Sequence, residues 1–112
     1  MFDLSMKKRK AAKKSNEATY LNQARRIVLN RLKGYNVDVY LYGSYARGDH
    51  HNTSDIDVAI MPLEPLRQGL LSEMREELEE SNIPQLVEII DLSRAPREFT
   101  RTVTREGISW ND

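Results

Sequence analysis

Between Glu17 and Lys33 the apolar residues Tyr20, Leu21, Ala24, Ile27, Val28 and Leu32 recur at helical spacing, and Gly34 follows as a stop. This predicts an amphipathic helix with Arg25, Arg26 and Arg31 on its outer face. Residues Val37 to Tyr42 switch to strict alternation among β-forming side chains, which predicts a strand that runs straight into Gly43-Ser44. A polar stretch from Tyr45 to Ser54 separates it from a second alternating run, Asp55 to Met61, which Pro62 and Pro65 bring to an end. Leu66, Leu70, Leu71, Met74 and Leu78 then mark a second amphipathic helix. Its outer face carries Glu73, Glu76, Glu77, Glu79 and Glu80 against Arg75 and is expected to be solvated. Ser81 to Pro84 closes that helix, and Leu86 to Asp91 gives a third strand. Ser93 is expected to cap a last helix, with Pro96 in its first turn, Phe99 and Val103 facing inward and Gly107 at its end. The order α-β-β-α-β-α predicts an α/β (α+β) domain whose three strands share one small sheet, with helices packed on one face.

Composition narrows what such a domain can do. The chain has 112 residues, 39% hydrophobic and 30% charged, which suits one folded domain and not a disordered segment. It contains no cysteine, so disulfides, thiolate metal sites and cysteine nucleophiles are excluded. No apolar run reaches the roughly 18–20 residues that a bilayer needs, and the first residues lack the apolar region of a signal peptide, so a cytoplasmic protein is expected. The net charge of zero conceals an asymmetry. Residues 1–33 hold ten Lys/Arg against Asp3 and Glu17, a balance of +8, which leaves −8 for residues 34–112. Residues 1–15 read as a basic, flexible N-terminus, and 16–112 as the single folded domain. The basic run lacks interleaved aromatics and any recognised nucleic-acid motif, which disfavours nucleic acid as a partner.

Three chemical features fall on the predicted strands. Alternation puts Asp55 and Asp57 on one face of the second strand, where two like charges repel. Such a pair persists when a cation lies between them, and oxygen ligands select a hard ion such as Mg²⁺. Glu88, on the third strand, is the candidate third carboxylate; Asp91 is the reserve and lies on the opposite face. Gly43-Ser44 sits where a strand gives way to a short helix, so its backbone N–H groups and the Ser44 hydroxyl can hold an anion. Arg47 can reach the same anion or anchor the loop that follows. His50 and His51 read as solvated loop residues, and Tyr45 as a packing residue.

Gly43-Ser44-Tyr45-Ala46-Arg47-Gly48, followed by Ser54-Asp55-Ile56-Asp57, resembles the signature of the polymerase-β-like nucleotidyltransferases: Gly-Ser, ten residues, then Asp-x-Asp. Length and spacing are similar to the minimal nucleotidyltransferases of HEPN/MNT toxin-antitoxin pairs, and the likeness runs from about Tyr20 to the C-terminus. The resemblance implies a small mixed sheet, two Mg²⁺ ions, and transfer of AMP from ATP to a hydroxyl. It also implies an antitoxin that adenylylates a tyrosine of a HEPN ribonuclease partner. The implied roles are triphosphate binding for Gly43, Ser44 and Arg47, and metal binding and catalysis for Asp55, Asp57 and Glu88. The family usually has Asp at the third carboxylate, where this chain has Glu88. Two alternatives stand beside this: a catalytically weak nucleotide-binding module that neutralises a HEPN partner by occlusion, and nucleotidyl transfer to a small-molecule or nucleic-acid hydroxyl.

Overall fold

The structure, a computed structural model, describes residues 18–51 and 54–111. The basic segment 1–15 and Glu17 lie outside these residues. Helix α1 covers residues 18–31, and the apolar stripe legible in the sequence turns Ala24, Val28 and Leu32 inward. Strand β1 is Val37–Tyr42, a short helix α2 is Ser44–Arg47, and strand β2 is Ile56–Pro62. Helix α3, Leu70–Glu80, crosses over to strand β3, Val87–Asp91. A 3-10 turn at Leu92–Arg94 leads into helix α4, Arg97–Glu106, and the two-residue strand β4, Ile108–Ser109.

The four strands form one mixed sheet in the order β3-β2-β1-β4, with β1 antiparallel to β2 and β4, and β2 parallel to β3. Alternation divides its side chains between two layers. Val37, Val39, Leu41, Ile56, Val58, Ile60 and Ile89 face α1 and α3 and build the main core with Met74 and Leu78. Arg31 joins those two helices, donating to Glu77 at 2.7 Å and Glu73 at 3.1 Å, so part of the acidic face of α3 is paired and not simply solvated.

The expected class, a small mixed sheet carrying helices, is what forms, with helix placement and strand number differing in detail. Helices α1 and α3 share one face, as expected. Helix α4 covers the other, where Val103 and Phe99 pack with Ala59, Ile90 and Leu92. Side chains at alternate strand positions need a cover of their own, and Ala59 and Ile90 give α4 an apolar seat. The chain also adds β4 after Gly107, too short a strand to leave a periodic signal. Gly107 is required by space. A Cβ there would lie 2.6 Å from the Val103 carbonyl and 3.1 Å from that of Leu41, where α4 meets β1. The expected Ser93 cap is replaced: the Asp91 carboxylate accepts from the Ser93 N–H at 2.9 Å and caps the 3-10 turn, and Pro96 precedes α4. Among the described residues, no helix is long and apolar enough to cross a membrane.

Met74 is fully buried between α3 and the sheet. Met74→Ala is expected to destabilise the fold by about 2–5 kcal/mol in urea titration, through lost burial and the cavity left behind.

Candidate active site

The antiparallel pairing of β1 with β2 sets Tyr42 opposite Asp57, and the parallel pairing of β2 with β3 sets Asp57 opposite Glu88. These three side chains form a row across three neighbouring strands, on the face that α4 covers elsewhere. Asp55 immediately precedes β2 and, two residues from Asp57, belongs to the same face. Asp57 is half-buried, whereas Asp55 and Glu88 are exposed.

Burial pushes the Asp57 carboxyl above the usual carboxylate range. The charges of Glu88 and Asp55 add to this, as does a hydrogen bond with Glu88, while Arg47 opposes it. The phenol of Tyr42 is pushed up to about 12 by burial, then by the charges of Asp57 and Glu88. Its ring is held edge-on to Phe99 of α4, with centroids 5.7 Å apart.

Gly43 closes β1 with φ +73° and ψ −152°, a region that is essentially restricted to glycine. Space makes the same demand, because a Cβ at this position would collide with the Asp57 carboxylate. The Gly-Ser turn and the carboxylate thus share one wall. Its carbonyl accepts from the N–H groups of Ala46 and Arg47, each at 3.1 Å, which starts α2 directly at Ser44. Tyr45 anchors that helix. It is buried, stacks on His50 with ring centroids 4.1 Å apart, and its hydroxyl accepts from Gln85 at 3.2 Å. His50 is therefore a packing residue and not merely solvated; His51 is exposed as expected. Arg47 pairs with Asp49 at 3.2 Å, the loop-anchoring option, while its charge still acts on Asp57.

Asp91 lies elsewhere. It pairs with Ile60, three residues along the strand from Glu88, or about 10 Å. Its side chain is engaged by Ser93, with Arg94 at 3.9 Å. The fold therefore brings Asp57 and Glu88 together, with Asp55 at the strand entrance and Asp91 apart. Among the described residues no three carboxylate or imidazole groups are gathered tightly enough to form a metal cage. The donor set, all oxygen and carrying like charges on one face, fits a hard divalent cation, and Asp55, Asp57 and Glu88 are the residues that could hold it. Tyr42 and Gln85 were not evident as site residues in the sequence. Alternation with the buried positions Val37, Val39 and Leu41 marks Tyr42 as lying on the opposite face of β1, but only strand register puts it beside Asp57.

Two outcomes follow from this geometry. Because folding raises the Asp57 pKa, the folded state binds its proton more tightly, so this residue's contribution to stability is present at acid pH and lost as pH rises through the raised value. Asp57→Asn should therefore melt above the parent at neutral pH in chelator, and the difference should vanish below the ordinary carboxylate range. Gly43→Ala should lower the melting temperature, since the methyl group and the carboxylate cannot occupy the same space.

A sequence model described as Polymerase beta, Nucleotidyltransferase matches residues 28–109. The chain is 32% identical over 69 residues to the protein adenylyltransferase MntA of Shewanella oneidensis, a match covering 62% of this chain and 49% of that protein. It thus spans about half the length of the curated relative it matches. Among solved structures, a toxin-antitoxin with AMP-PNP is similar with a TM-score of 0.60 and 26% identity, over 77% of this chain and 71% of that one. The fold is also shared with a complex of MNT antitoxin and tri-AMPylated HEPN toxin from Shewanella oneidensis, with a TM-score of 0.60 and 22% identity over 83% and 70% of the two chains. With the Gly-Ser turn packed against a carboxylate row, and the family match spanning nearly all the described fold, the chain belongs to the polymerase β nucleotidyltransferase family.

Proposed function

We propose that this chain is a Mg²⁺-dependent protein adenylyltransferase that moves AMP from ATP to a tyrosine hydroxyl of a HEPN-type ribonuclease toxin, and so acts as its antitoxin in the cytoplasm. The observation that carries this reading is the register of Asp57 with Glu88, with Gly43 packed on Asp57. The relative that is named a protein adenylyltransferase, and the similar toxin-antitoxin structures with AMP-PNP and with AMPylated toxin, support the substrate and the acceptor class.

In this reading Gly43 and Ser44 bind the triphosphate through backbone N–H groups and the Ser44 hydroxyl, and Arg47 contributes positive charge at the rim. When bound by Asp55, Asp57 and Glu88, two Mg²⁺ ions would supply neutralisation of the phosphate charge. The acceptor oxygen forms a bond to the α-phosphorus as the bond to pyrophosphate breaks, and the hydroxyl proton passes to the Glu88 carboxylate. Positioning and charge stabilisation account for the catalysis, with no covalent intermediate on the protein. The domain so defined is 16–112, with 1–15 as a basic extension.

The test is intact-mass spectrometry of the chain incubated with a HEPN-domain protein from its own genome, ATP and Mg²⁺. The HEPN protein should gain one or more adenylyl units. Glu88→Gln should slow the transfer by about 10²–10⁴-fold, and Asp91→Asn should leave it near parental. A stable complex with an unmodified partner would instead establish neutralisation by occlusion.

A further inference from the structure

Beyond the carboxylate row, β3 is one of the two edge strands of the sheet among the described residues. Between this edge and the last turns of α3 lies a groove of about 690 Å³. Leu78, Ile83, Pro84 and Leu86 make it apolar, and Glu79 and Glu88 make it acidic. At 60% exposed, Leu86 is the most exposed large hydrophobic among the described residues.

Three observations bear on what covers this groove. The first is continuity: Glu88 lines the groove and also belongs to the carboxylate row. Leu86 lies two residues before it, on the same face and within about 7 Å. The second is direction. Gly43 and α2 occupy the β1 side of Asp57, which leaves the β3 side for a second substrate. The third is polarity. Arg75 also lines the groove, but its guanidinium donates to the Ile89 carbonyl at 2.9 Å, so the acids remain to receive a cation.

The backbone limits the shape of the occupant. The Leu86 carbonyl accepts from the Ile56 N–H and so points into the sheet. Alternation then turns the N–H and C=O of Val87 outward, where they can pair with an extended main chain. At Ile89 the Arg75 guanidinium blocks such pairing, which confines it to a short stretch beside Val87.

We propose that the β3-edge groove is the acceptor-docking surface of the transfer reaction. It takes a short extended segment of the acceptor protein, with an apolar side chain over Leu86 and a basic side chain facing Glu79, and delivers the neighbouring hydroxyl to Glu88. This rests on the nucleotidyl-transfer reading above and commits to a polypeptide. A nucleic-acid acceptor would bring phosphates against Glu79 and Glu88.

The experiment compares the parent chain with Leu86→Glu, Leu86→Ala and the control Leu63→Glu, whose leucine is also exposed but follows β2 at its opposite end. Binding to the HEPN-domain protein is followed by sedimentation, and transfer is measured as acceptor concentration varies. Leu86→Glu should weaken binding and raise the acceptor KM by about tenfold or more. ATP affinity and melting temperature should stay parental, Leu86→Ala should give a smaller effect in the same direction, and Leu63→Glu should give none. An unchanged acceptor KM and unchanged binding in Leu86→Glu would overturn the proposal, as would a larger effect from Leu63→Glu. If the parent binds the HEPN protein without transferring AMP, the transfer reading fails while the binding comparison still decides the groove. If the parent binds no HEPN protein, the groove has lost its occupant and the proposal falls with the partner.

Discussion

The Asp57 carboxylate packs directly on the α-carbon of Gly43, and the arrangement of the site depends on that contact. It arises because Tyr42 and Asp57 are opposite each other in an antiparallel pair, so the residue after Tyr42 must turn away beneath a charged side chain. A residue with a β-carbon could adopt neither the backbone conformation nor the position. The turn therefore starts α2 within one residue of β1. Tyr45 fixes α2 through its contact with Gln85, at the approach to β3. Both strands that flank β2 are thereby tied to one side of the site.

The sheet face that carries the carboxylates changes character along its length. Toward the carboxyl ends of β2 and β3 it is apolar and covered by α4 and the 3-10 turn, with Ala59 and Leu92 buried. Toward their amino ends it is acidic and open, with Phe99 against Tyr42 marking the boundary. Burial enough to raise the pKa of Asp57, beside two more acids, is unfavourable for the isolated fold. That conflict between stability and charge placement is the pattern expected of a functional site.

Most elements were legible because their periodicity is unambiguous. The stripe of Ala24, Val28 and Leu32, the alternation of Val37 to Tyr42, and the Leu70, Met74, Leu78 spacing each specify one structure and one buried face. The Gly-Ser turn and Asp-x-Asp pair were equally plain, since a strand's two-residue repeat places both aspartates together without any tertiary information. The carboxyl-terminal region was harder to read. Asp91 competes with Ser93 for the capping role over a distance of two residues, and β4 is held by Trp110 donating to the Val39 carbonyl and by the Asn111 side chain bridging Val39 and Val37. Such contacts span more than seventy residues, beyond any local pattern.

Local chemistry in the sequence determined the elements, the turn at Gly43 and the identities of the acids, because helical and strand periods and glycine's missing side chain act over a few residues. Register was decided only in the tertiary structure. A shift of one residue between β2 and β3 would turn Glu88 away from Asp57 without altering any local preference. The burial of both strands' apolar faces against α1 and α3 forbids that shift. The same burial sets Tyr42 beside the carboxylates, keeps Asp91 out of the row and leaves Leu86 exposed along the edge of β3.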